Sequence, residues 1–199
     1  GFNIKIKLVD EGRFPALAIG LNDFAGTGYY SSEYIVANKQ FGKIDYHVGA
    51  GWGNINGKKH LKNPLGYMHE QFLFRPTNLE DEGGQFQPRR YFSDKSISIF
   101  GGIQYRLSEK TFLKIEYDPT ITPGKVGYEP SKSNLNFGID YNIKNNFNIG
   151  LSFERGNYAS LNFSYKTKSS SINKKYKTVD KKRNENEFTH LQKILALNA

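Results

Sequence analysis

The sequence predicts an all-β protein: an antiparallel up-and-down transmembrane β-barrel with about nine visible strands, part of a larger barrel, followed by a basic C-terminal tail. Three observations lead to this fold class. Apolar and polar residues alternate along the chain, and the connections between the alternating segments switch between short and long. The composition is rich in aromatic residues and glycine, whereas only 37% of the residues are hydrophobic. Such a composition is typical of many short strands joined by tight turns.

The alternation has a period of two residues, which is the repeat of a β-strand. In residues 43–55 small and charged residues occupy one face, and the other face carries Ile44, Tyr46, Val48, Ala50 and Trp52. Segments of this kind are about 7–13 residues long, which brackets the ~9–11 residues of a tilted barrel strand. We identify nine of them: 2–9, 17–23, 29–40, 43–55, 96–107, 111–118, 135–143, 147–153 and 158–166.

The connections between these segments are sorted by length. Short turns at 11–14, 41–43, 108–110 and 144–146 alternate with more variable connections at 24–28, 56–95, 119–134 and 156–157. Outer-membrane barrels have short periplasmic turns and longer extracellular loops. We therefore expect the short turns in the periplasm and residues 56–95 outside the cell.

The two faces of the predicted strands differ in chemistry. The apolar face ends in aromatic residues such as Tyr46 and Tyr105, which suit the membrane interface. The other face carries many charges, too many for the dry core of a small soluble barrel, and is predicted to line a lumen. A soluble sandwich with its charges in water also fits the alternation, but the sorted connections favour the membrane. The lumen-facing polar candidates are Glu33, Lys39, Asp45, Arg106, Lys114, Glu116, Asp118, Asp140 and Glu154.

Three aromatic residues, Phe100, Phe112 and Tyr158, are predicted on the same inward face. There they stack on sugar rings or simply fill the lumen. The glycines of Gly49-Ala-Gly-Trp-Gly53 also recur on this face. They predict room for bulky neighbours rather than a nucleotide-binding loop, because the spacing is wrong for one and no helix follows.

Composition and charge limit the other functional classes. Without cysteine the chain has no disulfide and no cysteine zinc site, and no apolar run reaches the 18 or so residues of a transmembrane helix. Much of the net charge of +9 belongs to residues 168–199, which hold eight Lys/Arg and three Asp/Glu. We divide the chain into a barrel segment, 1–167, and a basic linker with a short helical stripe, 168–199. Since aromatic residues hardly interleave the basic tail, no nucleic-acid partner is predicted.

Catalytic and metal motifs are weak. The four histidines lack the spacing of metal ligands, so neither a metal site nor a cofactor is expected. Glu116 and Asp118 lie two residues apart on one strand face, or roughly 6.6–7 Å. That separation is near that of the two carboxylates of an inverting glycosidase. The alternative is a pair of ordinary lumen acids with Lys114 as their counter-charge.

Several stretches resemble the YjbH/GfcD family, in that family's order. The most specific match runs from Pro15-Ala-Leu-Ala-Ile-Gly-Leu-Asn-Asp-Phe-Ala-Gly-Thr-Gly28 through Ser32-Glu-Tyr-Ile-Val-Ala-Asn-Lys39 to Gly49-Ala-Gly-Trp-Gly53. Shorter matches are Tyr91-Phe-Ser93, Phe100-Gly-Gly102, Ile115-Glu-Tyr-Asp118, Asn136-Phe-Gly138 and Phe153-Glu-Arg-Gly156. The resemblance covers residues 1–166, and the tail has no counterpart in it.

The resemblance implies a barrel in the cell outer membrane, often a lipoprotein, encoded with exopolysaccharide or group 4 capsule genes. It implies no catalytic residues. The expected partners are outer-membrane lipid, a polysaccharide, and periplasmic and outer-membrane proteins of the same exopolysaccharide operon. Because family members are several times longer, and because nine is an odd number of strands, the chain is not expected to close a barrel alone.

These observations predict a non-enzymatic barrel that assists biosynthesis, export or surface assembly of an exopolysaccharide or capsule. Two alternatives stay open. The first is a polysaccharide-modifying hydrolase that uses Glu116 and Asp118. The second is a barrel plugged by its own connection, residues 56–95, that serves as a scaffold.

Overall fold

The computed structural model describes residues 1–26, 28, 30–76, 87–121, 131–144 and 146–167. The predicted tail, 168–199, lies outside the described residues. No helix in the described part of the chain is long and apolar enough to cross a membrane. The strands are β1 Phe2–Val9, β2 Ala16–Phe24, β3 Ser32–Phe41, β4 Ile44–Gly53, β5 Leu61–Lys62, β6 Ser96–Arg106, β7 Thr111–Tyr117, β8 Leu135–Lys144, β9 Phe147–Glu154 and β10 Tyr158–Tyr165. Three 3-10 helices, η1 Pro64–Tyr67, η2 Glu70–Leu73 and η3 Pro88–Arg90, lie in the connection between β5 and β6.

The strands form one antiparallel sheet in the order β1-β2-β3-β4-β6-β7-β8-β9-β10. All nine predicted segments are strands, so the all-β antiparallel class is confirmed. The additional strand β5 is two residues long, pairs with the start of β6, and was not predicted. Among the described residues no pairing joins β1 to β10, so the sheet is open.

Antiparallel neighbours send successive connections to opposite ends of the sheet. The short-turn end carries the connections 10–15, 42–43, 107–110 and 145–146. The other end, which we call the loop end, carries the connections 25–31, 54–95, 118–134 and 155–157. The asymmetry expected from the sequence is therefore kept in the fold.

The register places the apolar side chains of neighbouring strands on one shared face. Tyr46 of β4 lies opposite Ile103 of β6, Ile103 opposite Ile115 of β7, and Ile115 opposite Phe137 of β8. This face is open: Ile103, Ile115 and Phe137 are 53%, 51% and 48% exposed. In the described part of the chain, the buried hydrophobic residues are only Ala18, Val36, Trp52 and Ile97.

The opposite face is polar. One cross-strand row on this face contains Asn38, His47, Gly102, Glu116 and Asn136. A half-exposed antiparallel sheet in water packs its apolar face on a core and leaves its polar face outside. This sheet has the reverse arrangement, with its apolar side chains outside.

Two predicted lumen residues, Glu33 and Lys39, lie on the apolar face instead. Glu33 pairs with Trp52, and Lys39 pairs with Tyr46. The assignment of these two residues to the polar face is therefore wrong. Both lie near strand ends, where adjoining connections supply polar partners. Lys39, for example, has its Nζ 3.6 Å from a carboxylate oxygen of Glu11 in the first short turn.

Glu33 is fully buried beneath the connection between β5 and β6. Its two carboxylate oxygens accept hydrogen bonds from the Arg75 guanidinium at 2.8 and 3.0 Å, and one accepts from the Phe92 backbone N–H at 3.0 Å. Arg75 also donates to the backbone oxygens of Arg90 and Ser93. This bidentate ion pair fixes the connection against β3.

The described part of that connection, residues 63–76 and 87–95, forms a cap at the loop end, and Asn63 holds the cap together. Asn63 is 2% exposed, and its side-chain nitrogen contacts the carbonyl oxygens of Phe72, Phe92 and Asp94 at 2.9, 3.0 and 2.9 Å. Its side-chain oxygen accepts from the Leu65 N–H and begins η1. The cap is thus organised by a buried amide, and its Phe92 ring also packs edge to face on buried Trp52, with ring centroids 5.2 Å apart.

Arg75→Ala tests the importance of the ion pair. Removing the guanidinium leaves the Glu33 carboxylate buried without its counter-charge, so we expect the free energy of unfolding to fall by roughly 3–5 kcal/mol. The measurement is denaturant unfolding of the full-length protein in detergent. Lys7→Ala is the control, because it breaks an exposed ion pair with Asp10, where little change is expected. Equal stability of the two variants would contradict this account of Glu33.

Candidate functional site

The polar face of the sheet is concave. A cavity of about 430 Å³ is lined by side chains that range from β1 to β7. Strands so far apart in the sheet can line one space only if the sheet curves around it. The lining side chains include Lys5, Tyr34, Val36, Asn38, His47, Phe100 and Glu116.

A second cavity, of about 380 Å³, lies on the same face between β7 and β10. Glu116 and Asp118 line both cavities. We therefore treat the two as one continuous depression and call it the trough. Its second half is lined by Lys114, Asn136, Asp140, Ser152, Glu154, Arg155 and Asn162.

Aromatic rings lie beside the polar groups of the first cavity. Tyr34 and Phe100 meet edge to face, with ring centroids 6.0 Å apart and planes at 87°. Glycines make room for both rings. A Cβ on Gly20 would lie 2.2 Å from Cζ of Tyr34, and one on Gly49 would lie 2.3 Å from Cζ of Phe100. Gly49 thus has the space-making role that its position in the sequence predicts.

Opposite charges are paired along the second cavity. Lys114 of β7 forms an ion pair with Asp140 of β8. Arg155, in the connection after β9, places its guanidinium 3.3 Å from a carboxylate oxygen of Asp118. The second cavity is therefore lined by several charges, and these two ion pairs compensate part of them locally.

The two predicted catalytic carboxylates, Glu116 and Asp118, have different surroundings. One oxygen of Asp118 accepts from the Thr120 backbone N–H at 2.9 Å, and the other faces Arg155. These contacts give Asp118 a structural role at the start of a connection. Glu116 forms no ion pair with a described residue.

The structure brings the other seven predicted lumen residues to the trough face. Register or cavity lining places there Asp45, Arg106, Lys114, Glu116, Asp118, Asp140 and Glu154. Of the predicted stacking residues, Phe100 lines the first cavity. The guanidinium carbon of Arg106 lies 6.0 Å from the ring centre of Phe112, and Tyr158 pairs with Glu154. Contact of these rings with a sugar stays a prediction.

Sequence reasoning missed Tyr34 and Arg155 as trough residues. Arg155 has a positive φ of 56° in a tight connection, where no alternation indicates the direction of a side chain. The sequence signal at this position is the motif Phe153-Glu-Arg-Gly156, which carries the family resemblance but gives no side-chain direction. For Tyr34 the signal is Gly20, which lies opposite it on β2 and leaves room for its ring.

His60 and His69, in the long connection between β4 and β6, make separate contacts. His60 accepts from the Ile99 N–H at 3.0 Å through Nδ1, and its Nε2 lies 3.1 Å from the Tyr117 hydroxyl. His69 accepts from the Gln71 N–H at 3.1 Å. Within the described ranges, no group of three His, Cys, Asp or Glu is arranged to hold a metal ion.

These features define an all-β protein with one antiparallel sheet, an exposed apolar face and a concave polar trough. Comparison with known proteins gives the family. The family model YjbH, described as "Exopolysaccharide biosynthesis protein YbjH", matches residues 1–195. The chain therefore belongs to the YjbH family, which is related to exopolysaccharide biosynthesis.

A curated relative supports this membership. The chain is 31% identical over 159 residues to the "Uncharacterized lipoprotein YjbH" of Escherichia coli (strain K12). The alignment covers 78% of this chain and 22% of the relative, so the chain spans less than a quarter of that protein. No solved structure matches the chain. The family match runs past residue 166, where the resemblance found in the sequence ends.

Gly49→Ala tests the packing of the trough. The added methyl would lie 2.3 Å from the Phe100 ring and 2.7 Å from the Ile35 backbone oxygen. We expect a loss of about 1–3 kcal/mol in unfolding free energy, as is typical of overpacking. Gly138→Ala is the matched control, since its methyl would have no neighbour nearer than 3.7 Å. Denaturant unfolding of both variants checks the difference, and equal stabilities would contradict the close contact.

Proposed function

We propose that this chain is part of a β-barrel in the cell outer membrane that assists export or surface assembly of an exopolysaccharide or capsule, without an enzymatic activity. The observation that carries the proposal is the reversed polarity of the sheet. Its apolar side chains face outwards, and its charged side chains line a concave trough. Membership of an exopolysaccharide biosynthesis family supplies the class of polymer.

The outer face supports the membrane part of the proposal. Exposed apolar side chains recur on strands from β2 to β10, among them Leu17, Ile35, Val48, Ile139 and Leu161. Soluble monomers rarely expose apolar patches of more than a few hundred Å². The long strands have 7–11 residues, which suits a tilted crossing of a bilayer. The hydrocarbon chains of lipid solvate such an apolar face.

The trough supports the polysaccharide part. It offers carboxylates, amides and hydroxyls that can exchange hydrogen bonds with sugar hydroxyls, together with the Tyr34–Phe100 pair. Because the ion pairs Lys114–Asp140 and Arg155–Asp118 compensate their own charges, the contacts with a hydrated polymer are individually weak. Weak repeated sites let a chain move on rather than remain bound.

The partners follow from the family. We expect outer-membrane lipid around the apolar face, a polysaccharide in the trough, and periplasmic and outer-membrane proteins of the same exopolysaccharide operon. The relative's name describes a lipoprotein. We extend that to this protein as a lipid anchor on its full-length form.

Leu151→Arg and Ser152→Arg test the direction of the two faces. The substitutions introduce the same charge at adjacent positions of β9, Leu151 on the apolar face and Ser152 in the trough. In lipid we expect Leu151→Arg to cost about 2–4 kcal/mol near the bilayer midplane and Ser152→Arg to be tolerated. Folding yield of the full-length protein in lipid vesicles is the measurement. Equal yields, or a larger loss for Ser152→Arg, would overturn the membrane orientation.

Glu116→Gln and Asp118→Asn test the non-enzymatic part. Each substitution removes a carboxyl group that a glycosidase needs as its acid or its base, and keeps the side-chain shape. We expect the length distribution of the secreted polymer to be unchanged in cells that carry either variant of the full-length protein. Size-exclusion chromatography of the polymer is the readout, with Glu109→Gln in a short turn as the control. Longer polymer with both trough variants, and not with the control, would favour the hydrolase.

A further inference from the structure

Exposed lysines lie together at the loop end of the sheet. None of them forms an ion pair with a described residue. The neighbouring carboxylate, Asp94, is engaged by hydrogen bonds from the Asn56 side chain and from the backbone of the following residue. We call this group the lysine patch, and its members are Lys58, Lys59, Lys62 and Lys95.

Backbone contacts hold the lysine patch on a short stretch of β6. Lys62 of β5 lies opposite Ser96, and the fourth lysine of the patch immediately precedes Ser96. The backbone N–H groups of residues 58 and 59 donate to the Ser98 hydroxyl at 3.0 and 2.9 Å. Ser96 and Ser98 are two strand residues, or roughly 7 Å, apart. The four lysines are therefore carried by one short region of the backbone, and their side chains are long and flexible.

The backbone at Lys59 is strained, with a φ of 53°. Glycine and asparagine adopt this conformation at a lower cost than lysine. Buried contacts impose it: Ser98 is fully buried, and Asn56, 2% exposed, binds both Ser96 and Ser98. These contacts hold Lys59 at a defined position on the protein surface.

The lysine patch borders the trough. His60 lies between its members in the chain and contacts the hydroxyl of Tyr117, which lines the first cavity. Ile55, just before the patch, lines the same cavity. The Ile121 N–H donates to the Asn54 oxygen at 2.7 Å and joins this segment to the one that follows β7. A polymer at the loop end of the trough therefore passes beside the lysines.

We propose that the lysine patch binds the carboxylate groups of an acidic polysaccharide at the loop end of the trough. The inference rests on the proposed function and deepens it, because it names an anionic polymer and the residues that select it. Unpaired ammonium groups attract carboxylates of any orientation, whereas a neutral glycan gains little from them. Exposed ion pairs are individually weak, so four of them attract a polymer without trapping it.

The same connection also contains Glu80, Asp81 and Glu82, which lie outside the described residues. The proposal therefore concerns the local patch and not the net charge of the connection. Binding experiments with substituted lysines measure the contribution of the patch itself, because the acidic residues Glu80, Asp81 and Glu82 are unchanged in every variant.

The experiment measures binding of fluorescently labelled polygalacturonate and of labelled dextran to the full-length protein in detergent, by microscale thermophoresis. We expect binding of polygalacturonate and far weaker binding of dextran. Raising the ionic strength from about 0.01 to about 1 M shortens the screening length from about 30 to about 3 Å and should abolish the difference. Replacing all four lysines by glutamine should weaken polygalacturonate binding about tenfold or more.

Two variants separate charge from folding. Lys43→Gln/Lys110→Gln removes two exposed lysines at the short-turn end and should bind polygalacturonate as the unmodified protein does. Lys59→Gly removes one ammonium group of the patch and relieves the positive φ. It should therefore bind more weakly while its thermal stability is unchanged or higher. If the fourfold variant does not fold, the binding of polygalacturonate to Lys59→Gly tests the proposal by itself.

The proposal is overturned if dextran binds as tightly as polygalacturonate. It is also overturned if polygalacturonate binds to Lys59→Gly, or to the fourfold glutamine variant, as it does to the unmodified protein. Equal weakening by the Lys43→Gln/Lys110→Gln variant would also overturn it. These readings are made on polymer in solution, so they do not depend on the membrane orientation of the sheet. If only the Leu151→Arg test fails, the proposed membrane barrel is rejected. If only the binding test fails, the proposed acidic polymer is rejected and the barrel is kept.

Discussion

Successive side chains of a β-strand point to opposite faces, and in this sheet that constraint extends over nine consecutive antiparallel partners. The backbone ladder fixes the register, so a slip by one residue would move a whole strand's apolar side chains to the polar face. The result is one continuous apolar surface and one continuous polar surface. The concave trough, the glycines that admit its rings and the exposed outer residues all follow from this division. Water solvates only the polar surface well, and this is the physical basis of the proposed membrane setting.

An outward apolar face leaves few hydrophobic side chains buried in the described part of the chain, namely Ala18, Val36, Trp52 and Ile97. The loop end is held to a large extent by buried polar groups: the Glu33–Arg75 ion pair, Asn63 and Asn56. Each of these groups is satisfied by several partners, which offsets the cost of removing it from water. Hydrogen bonds are directional, so such contacts also specify one arrangement of the cap more strictly than apolar packing would. Loss of a single hydrogen-bonding partner is therefore expected to lower the free energy of unfolding.

The period of two residues was enough to predict the nine long strands, because it is a local property that tertiary contacts did not override. The same reasoning failed at Glu33. Its partner, Arg75, lies 42 residues away in an irregular connection, and no pattern joins the two positions. The strand β5 was missed because two residues are too short to show a period. Arg155 was missed because a residue in a connection has no face that alternation can assign.

Burial separates the structural charges of this protein from those available to a ligand. Arg75 and Glu33 are enclosed, so their attraction is little screened and each would be costly to leave alone. In the trough, Lys114 and Asp140 are partly exposed and already paired, so they offer a polymer polar contact without a strong net field. The lysine patch is exposed and unpaired among the described residues, so its attraction extends into solvent and depends on salt. All three sites consist of charged residues, and their surroundings decide whether a charge fixes the fold, lines the trough or attracts a ligand.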